Sequence, residues 1–174
     1  MLAIEPLLRV ILASYALPWY GVHGLSHWGR VLDNGLRIAQ HTGANRDVVT
    51  LFALFHDAKR VNEDTDPEHG RRGALLAVEL RGSLFELADD DFHHLFEACV
   101  HHTAGHTEAN PTIQTCWDAD RLDLGRVGVR PHPTRLCTEI GKTAEVIDWA
   151  HGRAEAEAVS THVKPLWDEL WQQS

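Results

Sequence analysis

The sequence has few cysteines, few lysines and no long apolar run without charges. Its three cysteines, Cys99, Cys116 and Cys137, are odd in number and lack CxxC spacing, which predicts core thiols in a reducing, cytoplasmic compartment. The apolar stretch at residues 1–18 contains Glu5 and Arg9 and has no basic start. We therefore expect neither a signal peptide nor a membrane span.

Arginine supplies most of the positive charge, because lysine occurs only at positions 59, 142 and 164. The formal net charge of −9 repels polyanions, so we expect no polymeric nucleic acid as a partner. A small anion remains admissible, since the planar fork of arginine suits bidentate binding of phosphate or carboxylate. A chain of 174 residues suits one domain, which we assign to residues 1–174.

Apolar residues recur at the helical period along most of the chain, and no run alternates long enough to indicate a sheet. The pattern predicts an all-α fold. The predicted helices cover about residues 4–16, 25–43, 48–57, 72–80, 89–102 and 112–124, followed by a long C-terminal helical segment at about 133–173, broken near Gly152 and Pro165.

The pair His56-Asp57 stands at the end of an almost unbroken apolar helix, within Val49-Thr-Leu-Phe-Ala-Leu-Phe-His-Asp-Ala-Lys-Arg60. A carboxylate in such surroundings loses its solvation unless it binds a cation. This position predicts a metal site.

Further metal ligands of the same type lie on other predicted helices. His27, His56, Asp57 and Asp120 form a mixed nitrogen and oxygen set that suits Mn, Fe, Co, Ni, Zn or Mg, and a helical bundle can bring them together in its core. Spacing alone leaves the last ligand open, because Asp118, Asp120 and Asp123 lie within two helical turns. We expect solvent or a helix cap for the two that are not ligands.

The ordered set His27, His56-Asp57, Asp120 resembles the HD-domain superfamily of metal-dependent phosphohydrolases. The segments Ser26-His-Trp-Gly-Arg-Val31 and Asp118-Ala-Asp-Arg-Leu-Asp123 are similar to its first and last motifs, and the resemblance covers about residues 20–130. It implies an HD-domain-like helical bundle and a divalent metal at these four side chains, and it favours Asp120 as the last ligand. The implied reaction is hydrolysis of a small phosphorylated substrate, a nucleotide or phosphoester, by metal-bound water.

The resemblance also implies roles for neighbouring residues. Asp57 and Asp120 would orient water, while Lys59, Arg60 and Arg121 would stabilise the phosphoryl group, with Arg30 as a further substrate-binding residue. Arg60 occupies a position where some family branches carry an acidic residue, so the general base is left between Glu63 and His69.

The extra histidines leave the number of metals open. Some relatives hold two ions bridged by the dyad aspartate, and by that analogy His69 and His101, with His102 as the alternate, would bind a second ion or the substrate phosphate. A di-iron oxygenase and a non-catalytic metal- or nucleotide-binding module are the two alternative functions. The apolar side of the last helix, at residues 166–171, closes the bundle in a monomer or meets a second subunit in a homodimer.

Overall fold

Helices form the regular structure of this protein. The computed structural model describes residues 2–173, and within that range it contains no strand, only an isolated bridge between Arg81 and Phe85. The predicted all-α fold is confirmed. The helices are α1 (Ile4–Ala13), α2 (Leu25–Thr42), α3 (Arg46–Phe55), α4 (His69–Leu80), α5 (Asp89–His101), α6 (Pro111–Arg121), α7 (Ala144–Glu155) and α8 (Lys164–Gln173), with 3₁₀ turns at Leu124–Val127 and Pro133–Arg135.

Helix α3 lies at the centre of the bundle and ends directly at the His56-Asp57 pair. Its residues from Val48 to Phe55 are all buried, in keeping with their nearly continuous apolar sequence. Helices α1, α2, α4, α5 and α6 pack around it. Two glycines permit the closest approaches: Gly35 of α2 faces the side chain of Val49, and Gly73 of α4 faces the carbonyl of Phe55. A side chain at either position would separate the helices that carry the candidate ligands.

Local sequence signals set the ends of the helices near the site. Gly43 ends α2 in the left-handed conformation, with φ of 70°, which glycine adopts without steric cost. Asn45 then caps α3 by accepting hydrogen bonds from the backbone N–H groups of Asp47 and Val48. These caps fix where α3 begins and therefore where His56 falls at its end.

The C-terminal segment departs from the predicted long helix. Residues 133–143 contain only a short 3₁₀ turn, and α7 and α8 are separated by residues 156–163. Gly152 lies inside α7 and breaks nothing, while Pro165 sits in the first turn of α8, where its missing N–H leaves no helical bond unmade. The break comes instead after α7, where Glu157 adopts a φ of 50°.

The end of α8 returns to the beginning of the chain. Leu166 is buried against the main core, and the ring of Trp167 packs edge-on against Trp19 with centroids 4.9 Å apart. Arg9 of α1 donates a hydrogen bond of 3.0 Å to Glu169 of α8. Within the described residues, no helix is both long and apolar enough to cross a membrane.

Candidate metal centre

Four side chains from separate parts of the chain meet at one point in the bundle. His27 lies in the first turn of α2, His56-Asp57 follows α3, and Asp120 lies in the last turn of α6. His27 Nε2 is 3.0 Å from His56 Nε2 and 3.5 Å from both Asp57 Oδ2 and Asp120 Oδ1. His56 Nε2 is 3.7 Å from Asp57 Oδ2 and 3.8 Å from Asp120 Oδ1. We call these four residues the first cluster.

The spacing within the first cluster suits a shared cation. Ligand atoms that each lie about 2.1 Å from one ion stand roughly 3.0–3.4 Å apart, depending on whether the geometry is octahedral or tetrahedral. The separations in the first cluster, 3.0–3.8 Å, begin at this range and exceed it by at most 0.4 Å. Buried histidine and aspartate clusters in this protein can therefore hold a metal ion.

A second cluster shares Asp57 with the first. The Oδ1 oxygen of Asp57 is 3.1 Å from His69 Nε2 and 3.8 Å from His102 Nε2. The two Nε2 atoms are 2.9 Å apart. Asp57 Oδ1 is buried and accepts no hydrogen bond. A buried carboxylate oxygen that accepts no hydrogen bond is costly, so its position beside two imidazoles fits a cation site. We call Asp57, His69 and His102 the second cluster.

The four histidines are oriented in the same way. Each ring donates from Nδ1 to an acceptor outside the cluster: His27 to Asp123 Oδ2 at 2.7 Å, His56 to the Phe52 carbonyl at 3.1 Å, His102 to the Cys99 carbonyl at 2.7 Å, and His69 to the Asp66 carbonyl. A carbonyl oxygen only accepts, so we assign the proton of a neutral ring to Nδ1. The bare Nε2 atoms then face inward, as in metal-binding histidines.

This tautomer assignment leaves lone pairs facing each other. The Nε2 atoms of His27 and His56 are 3.0 Å apart, and those of His69 and His102 are 2.9 Å apart. Two neutral rings with bare nitrogens at that distance repel each other and cannot form a hydrogen bond. A cation between the two nitrogens would remove the repulsion, so this arrangement of the histidines also fits a metal site.

Burial sets the charge states of the clusters. It lowers the pKa of His56 to about 3 and also lowers the pKa of His102, so both imidazoles are neutral at neutral pH. Burial alone would raise the pKa of Asp120, but His56 and the Arg126 guanidinium outweigh it and lower that pKa to about 2. The pKa of Asp57 is likewise well below its ordinary value despite burial. Ionised carboxylates and neutral imidazoles are the forms that bind metals.

The structure corrects the predicted ligand of the second cluster from His101 to its alternate, His102. The His101 side chain is 44% exposed and lies 3.5 Å from Glu97 on the surface of α5, whereas His102 is buried beside Asp57. Adjacent residues at a helix end point about 100° apart, so only one of the two can face the core.

Asp118 and Asp123 are both fully buried, so the expectation of a solvent position is wrong for each. Asp118 accepts hydrogen bonds from the backbone N–H groups of Cys137 and Thr138 and thereby holds the segment after α6. Asp123 accepts from His27 Nδ1 and, at 2.7 Å, from Arg30 Nε. Arg30, predicted to bind substrate, is thus almost fully buried and supports the ligand His27 through their shared partner Asp123.

Two of the predicted phosphate-binding residues point elsewhere. Lys59 Nζ donates to the hydroxyl of Ser14, and Arg121 donates to the carbonyls of His106 and Arg135. Arg126 instead lies beside the first cluster, with its Nη2 3.9 Å from Asp120 Oδ1. Helical spacing could not identify Arg126, because this residue lies beyond the end of α6.

Arg60 lies beside the dyad, whereas Glu63 pairs with a histidine outside it. Arg60 is buried, with Nη1 3.5 Å from Asp57 Oδ1. Glu63 is partly exposed and pairs with Nδ1 of His23, whose ring centroid is 6.2 Å from that of His27. His23 therefore stands in the turn before α2, beside the ligand His27.

A cleft of about 590 Å³ lies away from both clusters, between α2 and α7. The guanidinium groups of Arg37 and Arg153 stand over the Trp149 ring there, 4.7 Å and 5.1 Å from its centroid. Trp28 and Trp117 are both buried in the core. Within the first cluster, only Asp120 has a side chain exposed by more than a few per cent, so access to the clusters is from its side.

Comparison of the chain with protein-family models, with curated proteins and with solved structures found no match.

Proposed function

We propose that this protein is a metal-dependent phosphohydrolase of the HD-domain type that acts on a small phosphorylated substrate, a nucleotide or phosphoester. One observation carries the proposal: His27, His56, Asp57 and Asp120, in the order of the resemblance, point their ligand atoms at one another in a buried cluster. The absence of a membrane-crossing helix among the described residues is compatible with the cytoplasmic location that we propose.

The first cluster would hold the divalent ion, and its oxygen and nitrogen ligands suit Mn, Fe, Co, Ni, Zn or Mg. Such an ion lowers the pKa of water and neutralises charge on phosphoryl oxygens. Each protein residue then has a definite task. Asp57 and Asp120 supply negative charge that is fixed near neutral pH, and Asp123 and the Phe52 carbonyl hold the two imidazoles in the required tautomer.

Two guanidinium groups flank the clusters and would bind the phosphoryl group. Arg126 lies 3.9 Å from Asp120 Oδ1, and Arg60 lies 3.5 Å from Asp57 Oδ1. Fixed positive charges in a site that excludes water stabilise a developing negative charge more strongly than they would in solution. We therefore replace Arg121 with Arg126 in the proposed substrate-binding set and keep Arg60.

The test is phosphate release from a panel of nucleotides and phosphoesters, with Mn, Mg, Co or Fe supplied in turn. Asp57→Ala should abolish release, because both clusters lose their shared carboxylate. Asp148→Ala serves as the control, because Asp148 is an exposed carboxylate on α7 that pairs with Arg130 and belongs to neither cluster. Folded, metal-loaded protein that releases no more phosphate than Asp57→Ala would rule out the hydrolase.

The second cluster favours an alternative, a di-iron oxygenase. Two ions bridged by one carboxylate are the arrangement that such a reaction uses, and Asp57 directs one oxygen to each cluster. Metal analysis and oxygen uptake discriminate between the two. Two irons per chain and substrate-dependent oxygen consumption would select the oxygenase, whereas anaerobic phosphate release would select the hydrolase.

A further inference from the structure

The two clusters differ in the charge that surrounds them. The first cluster contains two carboxylates, Asp57 and Asp120, while the second contains only the remaining oxygen of Asp57. Around the first cluster, the three carboxylates of Asp57, Asp120 and Asp123 face two guanidinium groups, because Arg30 lies 2.7 Å and Arg126 4.0 Å from Asp123. The first cluster therefore has an excess of negative charge that the second lacks.

Arg60 adds a fixed positive charge to the second cluster. Its Nη1 lies 3.5 Å from Asp57 Oδ1, and within residues 2–173 no other carboxylate is within ion-pair distance of this guanidinium. Its hydrogen bonds to oxygen go to neutral backbone carbonyls, from Nη2 to Asp64 at 2.7 Å and from Nε to Asn62 at 3.3 Å. The loop that follows the dyad therefore holds the guanidinium beside the cluster.

Arg60 does not use the ligand atom of His69. Its Nη1 is nearly equidistant from the two ring nitrogens, 3.3 Å from Nδ1 and 3.2 Å from Nε2. An atom at those two distances in the ring plane would overlap the carbon between the nitrogens, so Nη1 lies over the face of the ring. The in-plane lone pair of Nε2 stays directed at His102 and Asp57.

We propose that Arg60 makes the two clusters unequal, so that the first binds a divalent ion tightly and the second binds one only weakly while the guanidinium is in place. This inference rests on the proposed function, because it assumes that the clusters bind metal. The physical reason is electrostatic. The guanidinium lies 3.5 Å from Asp57 Oδ1, so it repels an ion that binds the same oxygen, and it also neutralises part of the negative charge of that oxygen. Arg60 thereby sets the number of ions in the resting protein.

The substrate offers a way to change that number. A phosphoryl group carries the oxygens that bind a guanidinium in a bidentate manner. When such a group draws Arg60 away from Asp57, the charge that opposes a second ion is removed. We therefore expect the second ion to bind more tightly in the presence of inorganic phosphate than in its absence.

The experiment is a titration of metal-free, full-length protein with Mn²⁺ by calorimetry, together with elemental analysis after equilibrium dialysis. Wild type should bind one ion tightly and a second at least about tenfold more weakly. Arg60→Met removes the charge and keeps much of the side-chain volume, so it should tighten the second ion by about tenfold or more. Arg60→Lys retains the charge and should resemble wild type.

Two further variants separate this effect from general charge or folding effects. Arg71→Met removes an exposed charge from the same helix as His69 and should leave both ions unchanged. His102→Ala in the Arg60→Met background should abolish the gain. Circular dichroism establishes that each variant is folded, and Arg60→Gln replaces Arg60→Met if the latter is not.

Two results would overturn the inference: wild type that binds two ions with equal affinity, or a folded Arg60→Met or Arg60→Gln protein whose second ion is no tighter. Its failure is distinguishable from failure of the proposed function. If wild type binds no ion, or if Asp120→Ala leaves the tight ion unchanged, the metal centre itself is wrong. A protein that binds its ions as described but hydrolyses no phosphoester would leave the Arg60 inference standing and reject the hydrolase.

Discussion

Asp123→Asn is the substitution that best tests whether the first cluster is held in place by its surroundings. Asp123 is fully buried and accepts hydrogen bonds from His27 Nδ1 at 2.7 Å and from Arg30 Nε and Nη2 at 2.7 and 3.1 Å. An asparagine keeps the shape but has one acceptor oxygen and one donor NH₂ group. Its NH₂ group must therefore face a donor, either on His27 or on Arg30.

Two effects of known size follow. Loss of the partner that orients a metal-binding histidine weakens metal binding by about 10- to 100-fold, which corresponds to about 1.4–2.7 kcal/mol. Separately, the buried Arg30 loses its counter-charge, and breaking a buried ion pair from one side costs about 3–5 kcal/mol of folding free energy. The variant should therefore be less stable even without metal, and should also bind metal more weakly.

Asp118→Asn is the matched control. Asp118 is also a fully buried aspartate in the same part of the chain, but its carboxylate accepts from the backbone of Cys137 and Thr138 and touches no ligand. It should cost stability without changing metal affinity. Urea unfolding in the presence of a chelator measures the first quantity, and competition with a chromophoric chelator for Mn²⁺ or Zn²⁺ measures the second.

The reasoning is refuted if Asp123→Asn binds metal as tightly as wild type. It is also refuted if Asp118→Asn loses as much affinity as Asp123→Asn, because the loss would then reflect general loosening of the fold. A drop in stability alone supports only the buried ion pair.

Two further predictions concern the folded chain without metal. In chelator, the free energy of unfolding should fall as the pH decreases from about 6.5 towards 3, because unfolded His56 takes up a proton near pH 6.5 while the buried ring, with a pKa of about 3, does not. Urea unfolding at pH 7 and pH 4 measures this fall in the free energy of unfolding. His56→Gln should make the fall smaller, and equal stability at both pH values would contradict the prediction. Gly73→Ala should destabilise the protein by about 1–3 kcal/mol, because its Cβ would overlap the Phe55 carbonyl. Gly152→Ala, where a Cβ meets nothing within 4 Å, should instead stabilise α7 by about 0.5–1 kcal/mol, and the same sign for both would refute the packing argument.

The ends and faces of the inner helices could be predicted because local rules decide them. The apolar period predicted α2 and α3, and Gly43 marked the end of α2. The convergence of His27, the dyad and Asp120 was expected from the family resemblance, and the structure brings these residues together.

The remainder of the site depends on tertiary packing that no local pattern encodes. The rotation of α5 against its neighbours decides whether His101 or His102 faces inward. A rotation by one residue, about 100°, would turn His101 inward in place of His102. Asp123 and Arg126 lie beyond the end of α6, where the chain turns into a 3₁₀ segment, and helical spacing no longer tells which way a side chain points. The break between α7 and α8 lacks a proline or glycine of its own, so the sequence offered no signal for it.

The position of Asp57 between the clusters has a thermodynamic consequence. One carboxylate cannot satisfy two cations independently, because a charge bound to Oδ2 alters the attraction that Oδ1 exerts on its own side. Linkage requires this influence to be reciprocal: occupancy of either cluster changes the affinity of the other by the same factor. Binding isotherms of this protein should therefore be described with a coupling constant between the clusters, and fitting them with two independent constants would misjudge both affinities.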